Sequence, residues 1–288
     1  MRHSVTIRRA TPADAEACGR ICYEAFASIN HAHNFPPDVP TPEAGVAVMR
    51  YLFSHPAHYC VVAERDGRLI GSNCMDERSV IGGIGPITVD PVAQNHGAGR
   101  VLMQAILDRA SERALAGVRL LQATFHNRSL SLYAKLGFVA REPVSVMQGP
   151  AIHRPMDGCL VRSARKTDLE AANHLCRTVH GFSRDGELAE AIEHNVAIVV
   201  ERDGALTGCS SIPGFFGFTV GLTNQDVQAM LAAAPKPFAG PGLLIPTRNA
   251  ELFRWCLEQD LRVVYPMTLM SIGQYDNPAG AWLPSVSY

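Results

Sequence analysis

The chain has 288 residues, 47% of them apolar, and a formal net charge of -1. That length and composition support sizeable cores in two domains or one large one. The charges divide evenly, without the clustered Lys and Arg of a nucleic-acid footprint, and no apolar run reaches the ~18 residues that a membrane-spanning helix needs.

In chain order, Val5 to Arg9 reads as a strand. Thr11-Pro12-x-Asp14 then opens a helix, with Pro near its first turn, that runs to about Ala27. The basic residues before it are followed by no long apolar segment, so a secretory signal is not expected. His31 to Thr41 reads as a loop and Pro42 to Ser54 as a second helix. Tyr59 to Glu64 and Leu69 to Met75 are β-rich runs joined by Asp66-Gly67, a hairpin signal. Ile84 to Val89 is the next strand. Arg100 to Ala116 is a helix, because Val101, Leu102, Ala105, Ile106 and Ala110 recur at helical spacing. Val118 to Phe125 is a strand, Ser129 to Leu136 a helix, and Phe138 to Pro143 begins another strand. Eight cysteines are scattered with no C-x-x-C. Cys18 and Cys22 share a helical face and read as small core residues, so no metal is expected. The setting implied is reducing and cytoplasmic.

Between the strand ending at Val89 and the next helix lies Gln94-Asn95-His96-Gly97-Ala98-Gly99-Arg100. Small residues there let a backbone approach a ligand, and the first helical turn offers unpaired N–H groups to a phosphate. Two glycines can also serve only to reverse the chain.

Val89-Asp90-Pro91-x-x-Gln94-x-x-Gly97-x-Gly99 resembles the acetyl-CoA signature of the GCN5-related N-acetyltransferases, the GNAT family. Asn127-Arg128-Ser129-Leu130-Ser131-Leu132-Tyr133-Ala134-Lys135-Leu136-Gly137-Phe138 resembles that family's second signature. The two stand in the family's order, and the resemblance covers about residues 4 to 145.

The resemblance implies an α/β fold with a mixed sheet and acetyl-CoA as acetyl donor. It implies that Ile87, Thr88 and Val89 face the pantetheine arm. Gln94, Asn95, His96, Gly97, Ala98, Gly99 and Arg100 would wrap the pyrophosphate, and the acyl slot would open beyond Val89. Arg100 can equally be an ordinary exposed residue at a helix start. Tyr133 aligns with the usual general acid, since a phenol holds its proton at neutral pH and can pass it to a departing thiolate. It can also be a half-buried packing residue. Asn127 would bind the pantetheine or cap its helix. The strand carboxylate that many relatives use as a base is missing. Asp76 and Glu77 are the nearest acids, though solvated turn charges describe them as well. His31 and His33 lie in the loop where relatives bind acceptors.

The chain also repeats itself. Arg8-x-Ala10-x-x-x-Asp14-x-Glu16-Ala17 returns as Arg162-x-Ala164-x-x-x-Asp168-x-Glu170-Ala171. Glu64-Arg65-Asp66-Gly67-x-Leu69-x-Gly71 returns as Glu201-Arg202-Asp203-Gly204-x-Leu206-x-Gly208. Asn127-x-x-Leu130-x-x-Tyr133 returns as Asn249-x-x-Leu252-x-x-Trp255. The three matches keep their order and indicate a duplicated domain. Their offsets shrink from 154 to 137 to 122 residues. The second loss falls where the first copy keeps its glycine turn, so the second copy is expected to keep the fold without binding CoA in the usual way. The expected organisation is two tandem acyl-CoA N-acyltransferase folds: 1–148, a linker 149–158, a degenerate copy 159–272, and a tail 273–288. The tail would pack over a surface, or line the acceptor cleft or the groove between domains.

The activity expected is direct acetyl transfer to a small-molecule or peptide amine, catalysed in the first domain. The alternative is a catalytically silent CoA-binding sensor or scaffold. Partners do not include nucleic acid or a membrane, and a homodimer is one admissible assembly. A Rossmann dinucleotide binder fits poorly, because the turn reads Q-x-x-G-x-G and follows a hairpin.

Overall fold

The computed structural model describes residues 5–287. The reading that the chain begins without a secretory signal rests partly on residues 1–4, which lie outside that range, as does Tyr288. Among the described residues no helix is long and apolar enough to cross a membrane.

The first half opens with β1 (Thr6–Arg9), a 3₁₀ turn (Pro12–Asp14) and α1 (Ala15–Ala32), then α2 (Pro42–Ser54), β2 (His58–Arg65) and β3 (Arg68–Asp76). α1 runs past its expected end near Ala27, because no Gly or Pro interrupts residues 20–35. His31 is therefore helical, and the loop begins after it. The Thr41 hydroxyl accepts the Ala44 N–H at 3.2 Å and caps α2. Asp66 and Gly67 both adopt positive φ, 54° and 73°, and turn β2 tightly into β3.

The strand expected over Ile84 to Val89 is two pieces, β4 (Ile81–Ile84) and β5 (Thr88–Val89). Pro86 between them has no N–H to give to a ladder. α3 (Ala98–Glu112), β6 (Gly117–Ala123), α4 (Asn127–Lys135) and β7 (Val139–Gly149) complete this half. The second half comprises β8 (Leu160–Ser163), α5 (Leu169–His180), α6 (Asp185–Glu193), β9 (Ile198–Arg202), β10 (Ala205–Ser210), β11 (Thr219–Gly221), α7 (Asn224–Ala232), β12 (Phe238–Pro246), α8 (Ala250–Glu258), β13 (Arg262–Gly273) and β14 (Ala281–Leu283).

The strands do not stay with their own half. The larger sheet runs β1-β2-β3-β4-β6-β13-β7-β12, with β5 added beside β3; the smaller runs β14-β11-β10-β9-β8. β13 lies between β6 and β7, pairing Met267 with Ala123 on one side and with Val144 on the other. β12 extends the same sheet, with Leu244 opposite Val146. Two mixed α/β copies are present, but each receives a strand from the other. β7 and β13 are the adjacent antiparallel strands at the middle of this exchange.

One buried cluster joins Ile81, Val144 and Val146 of the first half to Leu175, Val179, Phe218, Leu244 and Leu269 of the second. Cys18 and Cys22 sit in a separate cluster with Met49, Cys60 and Cys74. Burial pushes both of their thiols up to about 12.

The repeated residues form one clamp in each half. The Arg8 guanidinium donates to both Asp14 carboxylate oxygens at 2.8 Å and to Glu64 at 2.9 Å. Arg162 does the same with Asp168, at 2.7 and 2.9 Å, and with Glu201. The clamp ties the first strand, the entry of the first helix and the next strand together, which is why all three positions recur.

The tail departs from a simple surface strap. Gln274 donates its backbone N–H to Ala116 and its side-chain amide to Gly181, bridging the two halves. The chain then joins the smaller sheet as β14, with Thr219 opposite Leu283 and Gly221 opposite Ala281.

Candidate active site

β4 pairs in parallel with β6 from Ile81 opposite Gly117 to Gly83 opposite Arg119. Beyond that register the two strands part. Among the described residues β5 pairs only with β3, through Gly71–Val89 and Ser72–Thr88. A slot thus opens between β5 and the far half of β6, and among the described residues no strand pairs with the outer backbone edge of β5. The divergence starts at Ile84, earlier than the expected position past Val89.

The glycine turn lies at the end of that edge. Asn95 and Gly97 adopt positive φ, 66° and 86°, on the way into α3. His96 and Gly97 are exposed, Gly99 is half-buried and Arg100 points to solvent. The free N–H groups of the first turn of α3 meet the open face of the turn, where the helix dipole favours an anion. The Gln94 side chain does not face outward: its amide donates to the Val89 carbonyl at 3.1 Å and holds the turn to β5. Arg128 donates to the Asn95 side-chain oxygen at 3.2 Å, tying the turn to α4. A Cβ placed on Gly99 would lie 3.5 Å from Leu132 and 3.9 Å from Val89, so turn, β5 and α4 converge. Ile87, Thr88, Val89 and residues 94–100 therefore share one side of the slot.

α4 begins two residues earlier than expected. His126 is its cap, accepting the Ser129 N–H on Nδ1 at 3.3 Å. Asn127 is the first helical residue and is exposed, so it is not the cap. In the second half Asn249 does cap α8, accepting the Leu252 N–H at 3.3 Å. Tyr133 is 7% exposed and packs with Phe138, ring centroids 5.9 Å apart, among Leu102, Met103, Leu120 and Met270. Burial raises its phenol pKa well above the usual value, so the ring keeps its proton throughout the neutral range.

Asp76 and Glu77 do not face the slot. Asp76 lies opposite Gly83 and is ion-paired with Arg78, which also donates to Glu190 of α6 at 2.6 Å. Arg109 holds Glu77 at 2.7 Å.

A different carboxylate lies near the end of β6. The segment after α1 folds over Phe125, which stacks on Phe35 at 4.6 Å and on His33 at 5.1 Å. Tyr265, on β13 of the second half, closes the cluster at 5.9 Å from both phenylalanine rings. Asp38 lies against the Tyr265 hydroxyl and the Asn30 amide, and its Oδ1 has no hydrogen-bond partner. Burial raises the Asp38 pKa, and the neighbouring donors only partly offset it. Asp38, Phe125 and Tyr265 were not singled out from the sequence. Nothing in the spacing of Tyr265 to the first copy announces that β13 would cross over.

These residues fit acetyl-CoA. The turn offers N–H groups and two glycines to a pyrophosphate, and β5 offers an open backbone edge.

The fold is that of the GNAT acyltransferases. Residues 26–138 match the acetyltransferase (GNAT) family. Two mycothiol acetyltransferases are similar over part of their length. That of Thermomonospora curvata is 42% identical over 94 residues, 32% of this chain and 31% of its own. That of Nocardia farcinica is 38% identical over 63 residues, 22% of this chain and 21% of its own. The match thus spans a third or less of these curated relatives. Among solved structures, an acetyltransferase-type protein from Pyrococcus horikoshii aligns with a TM-score of 0.70 at 19% identity, covering 96% of this chain and 94% of that one. A GCN5-related N-acetyltransferase from Sphaerobacter thermophilus aligns at 0.59 and 15% identity, covering 98% of both. These two extend the likeness in fold across both halves.

Proposed function

We propose that the protein is an acetyl-CoA-dependent N-acetyltransferase, catalytic in its first half, that acetylates a small-molecule or peptide amine. The observation that carries this reading is the slot between β5 and β6 with the glycine turn at its end. Acetyl-CoA, when bound, supplies the acetyl group as a thioester. Backbone N–H groups of residues 97–99 hold the pyrophosphate, and the β5 edge at Ile87 to Val89 aligns the pantetheine. Gln94 and Asn95 keep the turn in shape. His96 and Arg100 flank it from solvent, and Asn127 stands at the α4 end.

Tyr133 holds the proton that the departing sulfur requires. Asp38 takes the role that the missing strand carboxylate leaves open: burial raises its pKa, which makes the carboxylate a better acceptor for the proton of the incoming ammonium. Phe35, Phe125 and Tyr265 exclude water from that exchange. The name of the curated relatives supports acetyl transfer and puts mycothiol-related amines first in an acceptor panel.

The test is steady-state release of free CoA thiol over a panel of amines, with Tyr133→Phe alongside. Turnover that falls on the order of a hundredfold in the variant, with KM for acetyl-CoA unchanged, is the expected result. Tight CoA binding without turnover of any amine would instead make the protein a silent CoA-binding module.

A further inference from the structure

In the second half the tail changes what the equivalent slot can hold. β11 occupies the place that β5 has in the first half, but its outer edge is taken by β14. Ala281, Trp282 and Leu283 are all buried there. An extended cofactor arm cannot pair with that edge while the tail is seated. The turn into α7 is equally unsuited to a phosphate. Thr223 gives its N–H to Asp226 at 2.8 Å, placing a carboxylate inside the first helical turn.

What the tail leaves is a cavity of about 460 Å³ between Leu222, Asn224, Arg248, Asn249 and Trp282, with Glu142 in its wall. Glu142 comes from β7 of the first half and is 3% exposed. Its Oε2 accepts two bonds from Arg248, at 2.9 and 2.7 Å, while its buried Oε1 has no partner. An unpaired buried acceptor calls for a donor from elsewhere. Arg248 already neutralises the carboxylate, so a neutral O–H suits it better than a second cation. Arg248 is itself 55% exposed, and it can turn to admit one. Asn224 and Asn249 also line the cavity, and Asn249 donates to the Asn224 oxygen at 2.7 Å, a bond that does not use the Asn224 amide N–H groups. Hydroxyls both donate and accept, and therefore suit the Glu142 acceptor and the Asn224 amide alike. Leu222 and Trp282 supply apolar faces for ring carbons, and the volume lies in the range of small-molecule sites.

We propose that this cavity, built by the tail strand and shared by both halves, binds a small uncharged polyhydroxylated ring of sugar size. It is separate from the slot of the first half and does not depend on acetyl transfer.

The test uses the full chain and saturation-transfer NMR with three probes: glucose, glucosamine and glucose 1-phosphate. Glucose is expected to receive saturation and to bind the most tightly. Asn224→Ala is expected to weaken it by about tenfold, and Glu142→Gln to weaken it similarly. Asn224 is only half-buried, so its variant keeps the reading sound if Glu142→Gln fails to fold. Absence of transfer to glucose overturns the proposal, as does unchanged affinity in folded Asn224→Ala. Preference for the ammonium or phosphate probe overturns its neutral character.

Discussion

At the residue scale, the most visible repeat in the chain has a structural purpose. Arg8 holds Asp14 down to about 2, chiefly through their paired hydrogen bonds. A carboxyl with a depressed pKa contributes stability that is present above its unfolded value, near 4, and lost as pH falls through about 2. Asp14→Asn is therefore expected to flatten the acid limb of the stability curve between about pH 4 and pH 2. Urea unfolding at several pH values measures this, and an unchanged limb would remove Asp14 from the account. Asp38 has the opposite sign. Its pKa is raised by burial, so the charged form costs stability at pH values above its folded pKa, and the cost vanishes below the unfolded value. Asp38→Asn is expected to raise Tm at pH 7, to leave it nearly unchanged at low pH, and to cut kcat/KM by at least about tenfold. A variant that gained stability yet kept full activity would rule Asp38 out as the base.

At the scale of elements, the glycine turn and β5 are the parts that only local backbone geometry explains. Gly97 sits at φ +86° with open space around its Cβ position, so a substitution there is limited by backbone conformation and not by crowding. Gly97→Val is expected to cost about 1–2 kcal/mol in stability, because a β-branched residue resists the left-handed region. It should also weaken acetyl-CoA binding by more than that strain alone accounts for, since the N–H groups of the turn would be misdirected. Calorimetric titration of the folded variant checks both parts; wild-type affinity would show the turn to be a mere reversal. The sequence motif located this turn, and within it the Gln94 side chain braces the backbone. The side chain reaches back to Val89 because that carbonyl lies at the edge where β5 ends.

At the scale of the molecule, β13 and β7 of opposite halves lie side by side in the larger sheet, and one apolar cluster joins both halves. Arg78 adds an ion pair across the boundary to Glu190. Neither half then has a complete sheet by itself. A chain opened within 150–158 is expected to yield soluble material only when both pieces are co-expressed, as a one-to-one complex by size exclusion. Each piece alone should expose unpaired strand edges and aggregate. A monomeric, folded piece of residues 1–158 would show that the exchange is dispensable.

The sequence by itself determined the local elements and located the glycine turn between β5 and α3. Periodicity marked the helices, Asp66-Gly67 the hairpin, and the two signatures placed Gln94 to Arg100 and Tyr133, since each of these depends on residues close together in the chain. The repeat showed the duplication in the same way. Tertiary structure alone decided that β13 crosses between β6 and β7, that Tyr265 and Asp38 meet beside Phe125, and that β14 closes the edge of β11. Those outcomes depend on which strand edge a distant segment reaches first, and backbone hydrogen bonds, common to every residue, carry no sequence signal of their partner.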